Sequence, residues 1–121
     1  EAASFIENVT FKNCTILVKA KTTFKNCIFD SNTKVTVTED AKLSVFEKCN
    51  LDVLDVKSNV QIFDSTFTNI NVTEADLDLY NSPVAETLKA TRANVSLYNL
   101  INGVSFTIIR YLIIFFCQLN L

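Results

Sequence analysis

Three carboxylates, Asp30, Glu47 and Asp64, each stand one place after a phenylalanine and 17 residues apart. If the chain repeats with that period they stack, and stacked carboxylate oxygens are hard ligands of the kind Ca²⁺ takes. The same row is three like charges, which costs energy unless a cation or water offsets it. The plainer reading is a solvated row of turn residues with Lys48 as neutraliser, because turns favour Asp and Asn. That plainer reading is the expectation, and Asp30, Glu47 and Asp64 are kept as candidate Ca²⁺ ligands. Paired carboxylates also serve glycoside hydrolysis, which needs two of them roughly 5–10 Å apart. Asp76 and Asp78 share one face of a strand pattern, where solvent exposure accounts for them. There is no histidine, so the usual general base and metal ligand are missing. No carboxylate cluster is tied to Arg92 or Arg110, and no Gly-rich phosphate loop, nucleophile elbow or Cys–His pair exists in the sequence. The expectation is therefore no catalytic residue, no cofactor and no enzymatic activity in this segment.

Cysteine and asparagine carry the remaining chemistry. Cys14, Cys27, Cys49 and Cys117 form no CxxC, which argues against zinc and thioredoxin-type sites. Two disulfides in a secreted chain are one reading. Small buried apolar residues, the usual state of free cysteine, are the favoured one. Asn-X-Ser/Thr sequons at Asn8, Asn13, Asn71 and Asn94 are glycosylation candidates. They fit an extracellular or cell-surface location, although a chain rich in Asn, Ser and Thr produces such triplets by chance.

Composition bounds the scaffold that must position these groups. A chain of 121 residues, 49% apolar, 20% charged and with net charge −2, makes one domain. It is too apolar to stay disordered. Its mild acidity gives no electrostatic case for nucleic acid. Period-two alternation recurs, as in Lys34-Val35-Thr36-Val37-Thr38, Asn59-Val60-Gln61-Ile62 and Asp76-Leu77-Asp78-Leu79, and marks short strands. Only the stretch near Ala85–Ala93 could pass for a helix.

An internal repeat organises the strands. Phe11, Phe29, Phe46, Phe63, Tyr80, Tyr98 and Phe115 are spaced by 18, 17, 17, 17, 18 and 17 residues. Apolar-x-apolar precedes five of them, as in Leu43-Ser44-Val45-Phe46 and Val95-Ser96-Leu97-Tyr98. A period of 17–18 is too short for a helix pair and suits one coil of a parallel β-solenoid, stacked at about 4.8 Å per coil. The expectation is an all-β, single-domain solenoid of about seven coils, with the seven rings in one column. Charge agrees: Asp40, Lys57, Glu74 and Arg92 each stand six residues before a ladder aromatic and alternate in sign. Stacked opposite charges contribute roughly 0.2–1 kcal/mol per pair.

Phe11-Lys12-Asn13-Cys14-Thr15-Ile16 and Phe24-Lys25-Asn26-Cys27-Ile28-Phe29 resemble coils of the right-handed parallel β-helix superfamily. That superfamily includes pectin-lyase-like enzymes, phage tailspikes and bacterial surface passengers. Phe29-Asp30-Ser31-Asn32 is similar to the Phe-x-x-Asn units of polymorphic outer-membrane proteins, whose Gly-Gly-Ala-Ile element is absent here. The resemblance implies a right-handed β-helix. It implies either a surface segment or a carbohydrate-active enzyme with acidic ligands and a basic catalytic residue along one face.

Residues 104–121 contain the most apolar stretch, VSFTIIRYLIIFFC from Val104 to Cys117. It is shorter than the roughly 20 residues of a spanning helix and carries Arg110 in its middle, which is costly in lipid. A last buried coil, with Leu112-Ile113-Ile114-Phe115 in the repeat register, or a strand that packs against a further neighbour, is preferred over a membrane anchor. The chain as a whole, 1–121, is expected to be a solenoid segment of a longer protein with flanking coils. Its expected function is non-catalytic: a structural or adhesion-type surface segment presenting solenoid faces to a protein or glycan partner. The alternatives are a fragment of a polysaccharide lyase or glycosidase lacking its catalytic coils, and a membrane-anchored ectodomain.

Overall fold

Alternating residues in short runs can bury one side only if each run lies against another, and the chain solves this by winding. The computed structural model describes residues 4–82, 84–98 and 105–113, the last stretch and Ala85 by backbone alone. These residues form a parallel β-solenoid of about five turns with three faces. The first face stacks β1 (Ser4–Glu7), β4 (Thr22–Lys25), β7 (Ser44–Glu47), β9 (Val60–Phe63), β11 (Asp76–Tyr80) and the end of β12 (Val84–Tyr98). The second stacks β2 (Thr10–Phe11), β5 (Ile28–Phe29) and the starts of β8 (Asn50–Val56), β10 (Thr66–Thr73) and β12. The third stacks β3 (Thr15–Val18), β6 (Lys34–Val37), the later parts of β8, β10 and β12, and β13 (Ser105–Ile113). Every pairing is parallel, and the later strands bend round the corners without a break.

Register gives the coil lengths. Along the first face Ile6 pairs with Phe24, Phe24 with Phe46, Phe46 with Ile62, Ile62 with Leu79 and Leu79 with Leu97. The coils are therefore 18, 22, 16, 17 and 18 residues long. The expected single column of seven rings does not form. Phe11 stacks on Phe29 with centroids 4.8 Å apart, Phe24 on Phe46 at 4.9 Å, and Phe63, Tyr80 and Tyr98 stack at 4.6 and 4.4 Å. Phe115 lies outside the described residues. The reason is the 22-residue coil, whose extra residues fall in the turns at 31–32 and 39–43. The 16-residue coil after it restores the average period but not the phase. Phe29 and Phe46 thus keep the spacing while lying on different faces.

The core is the column of inward residues that alternation provides. Phe24, Phe46, Ile62, Leu79 and Leu97 line it from the first face and Val35, Leu54, Ile70 and Leu88 from the third; Phe29, Leu51 and Phe67 line it from the second. The stretch near Ala85–Ala93 is strand: Val84, Leu88, Ala90 and Ala93 point inward, and neighbouring coils on both sides satisfy its backbone. Local helix preference is worth tenths of a kcal/mol per residue and yields to that pairing. In the apolar C-terminal stretch, β13 runs parallel to β12 with Leu88 opposite Phe106. A register shift between Thr91 and Ala93 then places Leu112 opposite Ala93 rather than Val95. The remainder of that stretch, including Cys117, lies outside the described residues.

Sharp corners need residues in the left-handed region, and the chain has one glycine. It uses asparagine most often, with Asp64, Lys48, Leu43, Glu74 and Arg92 at the other positive-φ positions. Asn8, Asn26, Lys48, Asp64 and Asn81 occupy the corner between first and second faces, with φ between 52° and 61°. Each donates its backbone N–H to a carbonyl of the next coil at 2.9–3.0 Å. Leu43, at φ 68° and 58% exposed, is the least suited side chain in that region. Leu43→Gly is expected to raise stability by about 1 kcal/mol, because a Cβ at positive φ costs roughly 1–2 kcal/mol and little packing is lost. Urea denaturation checks it.

Candidate functional site

The acidic residues proposed as a stacked row are not brought together. Glu47 ends β7 on the first face, in register with Lys25 and Phe63. Asp64 sits one residue later in its coil, in the left-handed corner, where its carboxylate accepts a bond from Asn81 Nδ2 at 3.3 Å. Asp30 follows β5 on the second face and has a structural role. Its oxygens accept from the backbone N–H of Asn13 in the preceding coil at 3.1 and 3.2 Å, from Asn32 N–H at 3.1 Å and from Thr33 Oγ1 at 2.7 Å. Among the described residues no three His, Cys, Asp or Glu side chains converge as metal ligands.

Those bonds hold the Asp30 carboxyl below the usual carboxylate range, the Thr33 hydroxyl contributing most and the Asn13 N–H next. A depressed pKa in the folded chain contributes stability above the ordinary carboxylate value, and that stability is lost as pH falls through the folded value. Acid titration should therefore loosen the first two coils below about pH 4. Asp30→Asn should remove this acid-sensitive component, read from the amide signals of Asn13 and Asn32.

Beside the left-handed corner runs a column of small buried groups: Cys27, Cys49, Ser65 and Ser82. Each side chain donates to the carbonyl two residues earlier. The distances are 3.4 Å for Cys27 and Cys49, 2.9 Å for Ser65 and 2.8 Å for Ser82. The serine oxygens also accept from the preceding coil, Cys49 N–H on Ser65 at 3.0 Å and Ser65 N–H on Ser82 at 3.1 Å. Cys27 and Cys49 are thus buried, free in this structure and hydrogen-bonded. Burial pushes the Cys49 thiol up to about 11. Cys14 is exposed in a turn and donates to Lys12 O at 2.9 Å.

The four sequons divide into two kinds. Asn71 and Asn94 are half-buried in strands, and their Nδ2 groups donate to Asp55 at 2.9 Å and Asp76 at 3.0 Å. Asn8 and Asn13 are exposed at positive φ. Asn8 Oδ1 accepts from Asn26 at 2.6 Å, while the Asn13 side chain makes no hydrogen bond among the described residues.

A groove follows the corner between third and first faces. It consists of hollows of about 470, 620 and 340 Å³ that share Glu39 and Lys42, then Asn59 and Glu74. The central hollow is bordered by Glu39, Lys42, Lys57 and Glu74 over a floor at Ser58. The expected alternating charge ladder is realised at one step: Arg92 Nε meets Glu74 Oε2 at 3.2 Å, both residues in the left-handed region. Lys57 falls in register with Thr73, not Glu74, because the 16-residue coil is one residue short there. Two buried side-chain oxygens among the described residues, Ser58 Oγ and Asn94 Oδ1, have no partner, and both residues border the groove. Lys42 and Ser58 were missed from sequence because they lie in irregular corners. The alternating charges Asp40, Lys57, Glu74 and Arg92, which all line it, were the trace of this groove in the sequence.

On the first face Asp78 lies between Gln61 and Ser96. Burial raises its carboxyl, Asp76 adds to the shift, and bonds from Gln61 and Ser96 oppose it. The neighbouring Phe63, Tyr80 and Tyr98 rings have interplanar angles of 9° and 4°. The facing sides of neighbouring rings cover one another, so both faces of Tyr80 are occupied. The chain matches no family model, no curated protein and no solved structure.

Proposed function

We propose that this chain is a non-catalytic structural or adhesion-type surface segment, a right-handed β-helix rod that presents its faces and corner groove to a protein or glycan partner outside the cell. The observation that carries this reading is where the charged and amide side chains go. Asp30 caps a turn, Asp55 joins Lys34 at 3.2 Å and Asn71 at 2.9 Å, and Glu74 pairs with Arg92 at 3.2 Å. Groups engaged in the scaffold are poorly placed for proton transfer, which needs a base within hydrogen-bond reach of substrate. What remains available is a regular surface and a shallow groove of mixed charge. The test is binding of the labelled chain to glycan arrays and to cells, with product analysis on the glycans bound. Saturable binding without new reducing or unsaturated sugar ends is expected. Release of such ends would make the chain a carbohydrate-active enzyme instead, a second reading favoured by the groove and by the raised Asp78.

The extracellular location has its own check. Secreted from eukaryotic cells, the chain should carry glycan at Asn13, and at Asn8 less fully. Asn13→Gln should remove the main shift on deglycosylation, whereas Asn71→Gln should leave it unchanged. Glycan mapped to Asn71 or Asn94 would contradict the ladder bonds described above.

A further inference from the structure

We propose that Cys27 and Cys49 close a disulfide between neighbouring coils when the chain folds in an oxidising medium. The two residues hold the same corner position in successive coils. Ile28 and Asn50, the next residue of each, are in register, and Asn50 N–H donates to Cys27 O at 3.1 Å. In-register residues of parallel neighbours lie about 4.8 Å apart, inside the roughly 4.4–6.8 Å window of disulfide Cα atoms. Both the backbone and the thiol of Cys27 lie against the Cys49 thiol. Cys14 is elsewhere: its N–H bonds Thr33 Oγ1 at 3.3 Å, so its neighbour in the next coil is a threonine.

The column itself distinguishes sulfur from oxygen. Ser65 and Ser82 make the corner bond at 2.9 and 2.8 Å. The thiols make it at 3.4 Å, with further contacts to Phe24 O at 3.4 Å and Ile6 O at 3.6 Å. A thiol is the weaker donor, so as hydrogen-bonding groups the two sulfurs hold the corner less tightly than the serine hydroxyls do. A covalent link supplies the cross-coil tie that the weaker bonds do not. The two cysteines also flank the 22-residue coil, the longest and least regular, so a link there closes the turn that the ladder holds least uniformly.

The chemistry is thiol–disulfide exchange with a small disulfide such as oxidised glutathione. One protein thiolate attacks the glutathione disulfide and releases one glutathione thiolate. The second protein thiolate then displaces the other, forming the Cys27–Cys49 bond. Two electrons pass from the protein pair to the glutathione disulfide, and the two thiol protons end on two glutathione thiols. Because the folded pair is buried and Cys49 is held as the thiol, closure occurs during folding rather than after it.

The full chain, refolded with oxidised and reduced glutathione and then alkylated, tests this by tryptic mapping under non-reducing conditions. The cysteines fall in separate peptides, 26–34 and 49–57. These should appear as one linked species, with Cys14 and Cys117 alkylated. Reduction should then lower the thermal midpoint by about 10 °C, as expected for a loop of this length. The double variant Cys27→Ser/Cys49→Ser, which copies the chemistry of Ser65 and Ser82, should fold and match the reduced protein. Recovery of both peptides alkylated, or linked to Cys14 or Cys117, overturns the proposal. So does a double variant whose midpoint equals that of the oxidised wild type.

Discussion

Leu79→Asp abolishes the folding of the C-terminal coils, at a cost of about 5 kcal/mol or more. Leu79 is 1% exposed and lies between Ile62 and Leu97 in the first-face column. A carboxylate there has no partner and must either stay charged in an apolar column or take up a proton. The adjacent residue gives the control. Asp78 faces outward on the same strand, and its pKa is raised by burial. A group whose folded pKa is raised is stabilised by protonation, so its charged form works against folding near neutral pH. Asp78→Asn should change stability by less than about 0.5 kcal/mol. Urea denaturation of the two variants measures the contrast. Equal costs would mean that β11 does not alternate between core and solvent.

Phe46→Ala costs about 3–5 kcal/mol, the range for a fully buried aromatic ring. Phe46 is 0% exposed, stacks on Phe24 with an interplanar angle of 8°, and sits over Ile62. The rod is linear, so the cavity cannot be filled from a third layer and must be relaxed within one coil. Phe63→Ala on the outward side of the next coil is expected to cost less, because Phe63 is half-buried and loses mainly its stacking on Tyr80. If all seven periodic aromatics were equivalent, the two costs would be equal.

The repeat was legible because each coil carries its own copy of the inward pattern. Val60-Gln61-Ile62, Leu77-Asp78-Leu79 and Val95-Ser96-Leu97 occupy the same face in register, as their spacing foretold. What spacing conceals is phase. A constant interval between Phe29 and Phe46 reads as one column, yet the turn residues 31–32 and 39–43 move the second ring to another face. The average chain length per coil is legible in the spacing, but the length of an individual coil and the angular position of a residue are not. The same slip explains why Asp30, Glu47 and Asp64 share an interval but no site. It also explains why the charge ladder survives at Glu74–Arg92, where consecutive coils have nearly equal length, and fails at Lys57. Asn at the corners was visible as composition. Its role in left-handed turns follows from the scarcity of glycine, which leaves asparagine as the next residue able to adopt positive φ.

The central claim is that successive coils lie parallel and in register with unequal lengths. Nuclear Overhauser contacts in the isotopically labelled chain measure this directly. Contacts linking Leu77 to both Val60 and Val95, and the ring of Phe46 to Phe24 and Ile62, are the predicted result. Contacts placing Phe46 against Phe29 and Phe63 in one column would contradict the account, as would antiparallel or helical contacts through Val84–Tyr98.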